Sequence, residues 1–172
     1  MVEEEPKDLM VLNAIAKGYK TEEKIAKATG LPLFEVAMIV ERLLLRGLIV
    51  RSEKKGLLGR KKVEIGITER GYNELQARRF ELEQRWQRLV TLAEQGKRDE
   101  FEREAFSLRS WIPLMIFMGI MDMMMWMTML NMMNLAAQEL MPENLPEGSD
   151  IGGDGGDYGG EFGDLDFGDI NI

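Results

Sequence analysis

The 172-residue chain contains no cysteine and no histidine. Without thiols there is neither a disulfide framework nor a thiolate zinc site. Without imidazole, the usual general base and the commonest metal ligand are missing as well. A site built from carboxylates alone remains chemically open, but no spacing of Asp and Glu suggests one. The amino-terminal stretch MVEEEPKD is acidic and carries no apolar run, unlike a secretory signal. These absences point to a cytoplasmic protein that binds rather than catalyses, with no cofactor and no metal.

Basic residues are missing from one region only. Residues 111–172 hold no Lys or Arg and 11 acidic groups. Residues 71–110 balance at 8 of each sign, and residues 1–70 set 14 Lys/Arg against 11 Asp/Glu, a local +3 inside a chain whose net charge is −8. The negative charge is thus concentrated at the carboxyl end, and the amino-terminal part is mildly basic.

That basic part is also the best patterned. In TEEKIAKATGLPLFEVAMIVERLLLRGLI (21–49), Thr21 reads as a helix start, with Ile25 and Ala28 as the apolar stripe. Gly30 suits the left-handed end of that helix and Pro32 the first turn of the next. Val36, Ile39, Val40, Leu43 and Leu44 recur at three- and four-residue spacing, which predicts a helix over 32–46 with one buried face. An earlier helix is expected over 8–17, with Leu9, Leu12, Ile15 and Ala16 on one side. Leu48–Arg51 and Val63–Ile67 read as two strands of a hairpin separated by the polar stretch 52–62. Thr68 is placed to cap a following helix.

The order helix, helix, helix, strand, wing, strand, helix resembles a winged helix-turn-helix domain of the MarR/PadR-like, archaeal type. The phrases IAKATGLPLFEVAMIVERLLLRGLI and ITERGYNEL carry the likeness. It implies a mainly α fold with a small β-hairpin (α+β) and, most often, transcriptional regulation by DNA binding. In such domains the third helix enters the major groove and the wing meets backbone or minor groove. Carried over by position, the resemblance offers Leu33, Phe34, Glu35, Ala37, Met38, Glu41 and Arg42 from helix 32–46. This helix is poor in base-reading side chains, since Glu35 is the one polar group in its first two turns. The hairpin is richer: Arg51, Lys54, Lys55, Arg60, Lys61 and Lys62 suit phosphates, with Lys20, Lys24 and Lys27 nearby. A solvated, aggregation-resistant edge is the plainer reading of the same lysines.

Beyond Tyr72 a long helix is expected to about Gln95. Tyr72, Leu75, Arg79, Leu82, Trp86, Leu89 and Ala93 follow a 3-4-3-4 spacing with one polar member, the pattern of a coiled-coil seam. Tyr72, Leu75, Leu82, Trp86 and Leu89 are therefore expected to pair two subunits, with packing inside the chain as the alternative. A second amphipathic helix is expected over 97–109.

Residues 111–135 contain ten of the 14 methionines. The expectation is one helix apolar all round, with Met115, Met118, Met121, Met125 and Met129 facing a core or a hydrophobic partner. Three readings compete: a dimer core wrapped by the partner's helices, a membrane span, and an adaptable client surface. Asp122 near the middle weighs against a span. Thioether copper(I) binding by Met115, Met118 and Met121 lacks the supporting Cys or His. From 141 onward glycine and acid dominate, with Phe162, Leu165, Phe167, Ile170 and Ile172 among the aspartates. Such a tail is expected to be disordered, either solubilising, or docking on a partner's basic groove or folding back onto the wing as a mimic of nucleic acid.

The chain therefore divides into a winged domain (7–71), a helical dimerisation region (72–140) and an acidic tail (141–172). The leading expectation is a homodimeric, DNA-binding transcriptional regulator. Alternatives are an adaptor for protein, structured RNA or the ribosome, and a regulator tethered to the membrane by residues 111–135.

Overall fold

The structure is a computed structural model that describes residues 6–141, so the acidic tail lies outside the described residues from position 142 onward. The elements run α1 (Pro6–Ala16), α2 (Glu22–Thr29), α3 (Leu33–Leu45), β1 (Ile49–Lys55), β2 (Lys61–Ile67), α4 (Glu69–Glu94) and α5 (Arg98–Ser107). A 3-10 turn at Arg109–Trp111 leads into α6 (Ile112–Phe117), α7 (Met123–Met132) and α8 (Ala137–Leu140). The mainly α, winged-helix expectation holds.

Local signals set the boundaries of the first half. The Thr21 hydroxyl accepts from the Lys24 amide at 3.2 Å and caps α2, and Gly30 ends it at φ 73°. The Thr68 hydroxyl accepts from the Gly71 amide at 3.0 Å and starts α4. Gly71 has a second role. A Cβ built there would lie 2.0 Å from the Leu48 carbonyl oxygen, so only glycine lets α4 abut the base of the hairpin.

Helix α1 departs from expectation. It is buried all round from Asp8 to Ile15 rather than on one side, and Ala16 is exposed. The reason is company: α2, α3 and β2 pack against it, and so do α4 and α6 from the carboxyl-terminal half. Lys17 closes the junction, its Nζ donating to the Phe117 carbonyl at 2.9 Å and lying 4.4 Å from that ring's centroid. Partial burial, and then the charge of Arg79, push the Lys17 pKa down. One buried cluster runs from Leu9 to Leu140, across position 71 without a break.

The single helix expected over 111–135 is not formed. Gly119 adopts φ 73° and the chain turns between α6 and α7. Asp122, expected inside a helix, instead caps α7, accepting from the amides of Met124 at 2.7 Å and Met125 at 3.2 Å. Its carboxylate thus meets two of the amides that a helix start leaves unpaired. Among the described residues no helix is long and apolar enough to cross a membrane.

The wrapping of this segment comes from the same chain. Trp126 is fully buried, with its ring centroid 6.3 Å from that of Trp86 on α4 and 6.1 Å from that of Phe101 on α5. Its indole Nε1 donates to the Leu140 carbonyl at 3.1 Å. Met115, Met118, Met121 and Met129 are buried, whereas Met125 faces outward with Met124, Met127 and Met132. Leu75, Leu82, Trp86, Leu89 and Ala93 are buried inside the chain and Tyr72 partly so. The seam spacing on α4 therefore records intramolecular packing: a 26-residue helix needs cover along its length, and α1, α5 and α7 provide it.

Candidate nucleic-acid interface

The hairpin is longer and its loop shorter than the sequence suggests. β1 and β2 pair antiparallel through seven residues each, from Ile49 opposite Ile67 to Lys55 opposite Lys61. Only 56–60 remain as a loop, closed by the Gly56 amide donating to the Arg60 carbonyl at 2.8 Å. Lys54, Lys55, Lys61 and Lys62 thus belong to the strands and not to the tip.

Pairing fixes how these lysines face. Lys54 lies opposite Lys62, and Lys55 opposite Lys61. Directly opposed residues share a face, and successive residues alternate, so each face of the ribbon carries one lysine pair. Like charges held opposite one another are unfavourable unless an anion intervenes. Two carboxylates offset part of this. Glu64 is reached by Lys54 at 3.2 Å and by Lys20 at 3.8 Å, and Lys61 lies 3.9 Å from Glu53. The Lys54 hydrogen bond, aided by the charges of Lys54, Lys20 and Lys62, holds the Glu64 carboxyl below its ordinary range despite some desolvation. Lys55, Lys62 and Arg60, together with Lys24 and Lys27 on α2, have no carboxylate within 4 Å among the described residues.

Two arginines expected at the interface are engaged elsewhere. Arg51 Nη2 donates to Glu41 of α3 at 2.7 Å and reaches Glu22 of α2 at 3.4 Å. The Glu41 hydrogen bond is the main cause that raises its already high pKa. Arg51 therefore pins the wing's base to both helices of the helix-turn-helix. Arg42 makes a two-pronged contact with Asp8, Nη2 to Oδ1 at 2.6 Å and Nε to Oδ2 at 3.3 Å, fastening α3 to α1. The Asp8 side chain is almost buried, so this pair is structural. Arg46, at the end of α3, bonds Glu74 of α4. Neither the Asp8 nor the Glu22 partnership had a local signal, because the partners lie 34 and 29 residues away.

Glu35 on α3 accepts from Lys7 Nζ at 2.7 Å, which neutralises the one acid at the start of that helix. Apart from Glu41, held by Arg51, what α3 then exposes is apolar. Phe34 is 70% and Met38 58% exposed, with Leu33 and Leu45 also outward. Residues 9–99 match the family model described as wHTH-PRTase associated. The chain belongs to that family. The matched span of wHTH-PRTase associated proteins takes in α1 through α4 and ends at the start of α5, so the winged domain and its long helix form the family unit and the methionine-rich layer lies beyond it. No curated protein and no solved structure matches the chain.

Proposed function

We propose that this protein is a nucleic-acid-binding regulator that acts by binding rather than catalysis, with the wing as its phosphate-contacting element. The observation that carries the reading is the register of the hairpin. It sets two lysine pairs back to back on a projecting ribbon whose base is pinned to the helix-turn-helix by Arg51. The MarR/PadR-like resemblance and membership of a winged-helix family support duplex DNA over other polyanions. The test is the salt dependence of duplex binding. Replacing Lys54, Lys55, Lys61 and Lys62 with Ala should lower the magnitude of the log K against log salt slope by about 3–4, close to one for each phosphate that is no longer neutralised. A slope equal to wild type overturns the proposal.

A second reading rests on the exposed apolar face of α3. Leu33, Phe34 and Met38 lack the donors that read base edges, and their chemistry suits a protein. The family's description supplies the class, a PRTase, or phosphoribosyltransferase. In this reading α3 docks that enzyme while the wing holds nucleic acid. Phe34→Ala with Met38→Ala should abolish co-elution with a phosphoribosyltransferase and leave duplex binding unchanged. Two-fold pairing of the chain belongs to the regulator reading too. It uses the outward side chains Phe80, Met124 and Met132 in place of the occupied α4 stripe, and sedimentation equilibrium at micromolar concentration tests it.

A further inference from the structure

The hairpin ends in two side chains that the fold does not use. Leu57 and Leu58 form the tip of the loop and are almost wholly exposed. They are not on a slack segment: the Gly56 amide donates to the Arg60 carbonyl at 2.8 Å, the Gly59 amide donates to the Gly56 carbonyl at 3.0 Å, and Gly59 takes φ 74°. A two-leucine projection held this way buries nothing within the chain. Its surroundings carry a cationic excess, with Arg60 beside it and, on each face of the ribbon behind it, one lysine pair against a single carboxylate, Glu64 on one face and Glu53 on the other.

We infer that Leu57 and Leu58 are an apolar wedge that enters the minor groove of duplex DNA and partly unstacks a base step. The geometry suits that occupant. A minor groove is bounded by two phosphate rails, and a ribbon entering tip first meets one rail with each face. Lys54 and Lys62 then address one rail, and Lys55 and Lys61 the other, while the leucines reach the floor. The B-form groove is about 6 Å wide, narrower than a ribbon with its side chains, so entry beyond the tip requires the widening that unstacking brings. Apolar wedges of this kind kink the duplex by about 20–90° toward the major groove. The flexible pyrimidine–purine steps, TA above all, are the favoured entry points. The inference rests on the wing binding nucleic acid, and adds what the tip does once bound.

The experiment uses the full chain and end-labelled duplexes of about 30 base pairs carrying 2-aminopurine at a TA step, a length over which a single kink stands out from smooth bending. Wild type is expected to raise 2-aminopurine fluorescence and shorten the end-to-end distance by energy transfer. Leu57→Ser with Leu58→Ser should remove both signals and weaken binding roughly ten- to a hundredfold, the lost cover of two apolar side chains less the unstacking cost that is no longer incurred. The salt slope should stay as in wild type, because the lysines are untouched. Both leucines lie outside the core, so an unchanged thermal melt shows that the variant is folded. Binding that leaves the duplex straight, or a serine variant that bends it as wild type does, overturns the wedge and spares the nucleic-acid reading. Failure to bind any duplex overturns both. Leucine-dependent flotation with phosphatidylserine vesicles, in place of DNA bending, reassigns the tip to a lipid surface and overturns the inference.

Discussion

The winged half and the methionine layer bury their apolar residues by different means. In the winged half, β-branched and leucine side chains on α1, α2 and α3 form the core, and ion pairs that cross between elements set its geometry: Asp8 with Arg42, Arg51 with Glu22 and Glu41, Arg46 with Glu74. The layer made by α6, α7 and α8 has no basic residue at all, and its one described carboxylate besides Glu139 caps a helix. Trp126, seated between Trp86 and Phe101, anchors it, and two cations from outside hold backbone carbonyls within it, Lys17 that of Phe117 and Arg98 that of Met133, each at 2.9 Å. Flexible thioether side chains fill around that ring. Carboxylate–guanidinium pairs therefore orient the elements of the winged half, and an aromatic anchor with cation-to-carbonyl bonds orients the methionine layer.

The sharpest way to break the contrast is Trp126→Ala. Deleting a fully buried indole and its hydrogen bond should cost about 3–5 kcal/mol. Since one buried cluster joins the two halves, both should melt together, with the midpoint lowered by on the order of 10 °C. Two separated transitions in calorimetry would show that the halves are independent. Next comes Gly71→Ala, which drives a methyl group into the Leu48 carbonyl and should cost about 1–3 kcal/mol as the hairpin is displaced from α4. Amide exchange along β1 and β2 should accelerate in that variant and stay slow in α7. Asp8→Ala removes the partner of a half-exposed guanidinium, which can turn to water, so a loss of about 1–2 kcal/mol is expected by urea denaturation.

The smallest effect is one of pH. Glu64 has a folded-state pKa below its unfolded value of 4.5, so its pairing with Lys54 is fully present above that value and is lost as pH falls through the folded pKa. Strand-pairing signals of the wing in NMR spectra should weaken in that acid window, and Glu64→Gln should abolish the dependence.

How much of this the sequence disclosed follows from the range of each interaction. Thr21, Gly30 and Thr68 act within three or four residues, so their roles as caps and terminator are legible in the chain. The hairpin was legible in its existence but not in its extent. Lys54, Lys55, Lys61 and Lys62 look like loop composition, and only pairing across the ribbon makes them strand. Arg51 and Arg42 look like free cations because their carboxylates are distant in sequence. The 3-4-3-4 stripe on α4 told that one face would be covered and was silent on whose atoms would cover it. In 111–135, periodicity fails because nearly every position is apolar. Gly119 and Asp122, which make the break, stand in a run whose length suits one long helix.

The contact of Trp86 with Trp126 also fixes what light can report about this molecule. All three tryptophans, at 86, 111 and 126, fall outside the wing and the helix-turn-helix. Intrinsic emission is therefore a built-in gauge of the methionine layer and blind to events at the lysines, so quenching on addition of a ligand would report a rearrangement transmitted down α4.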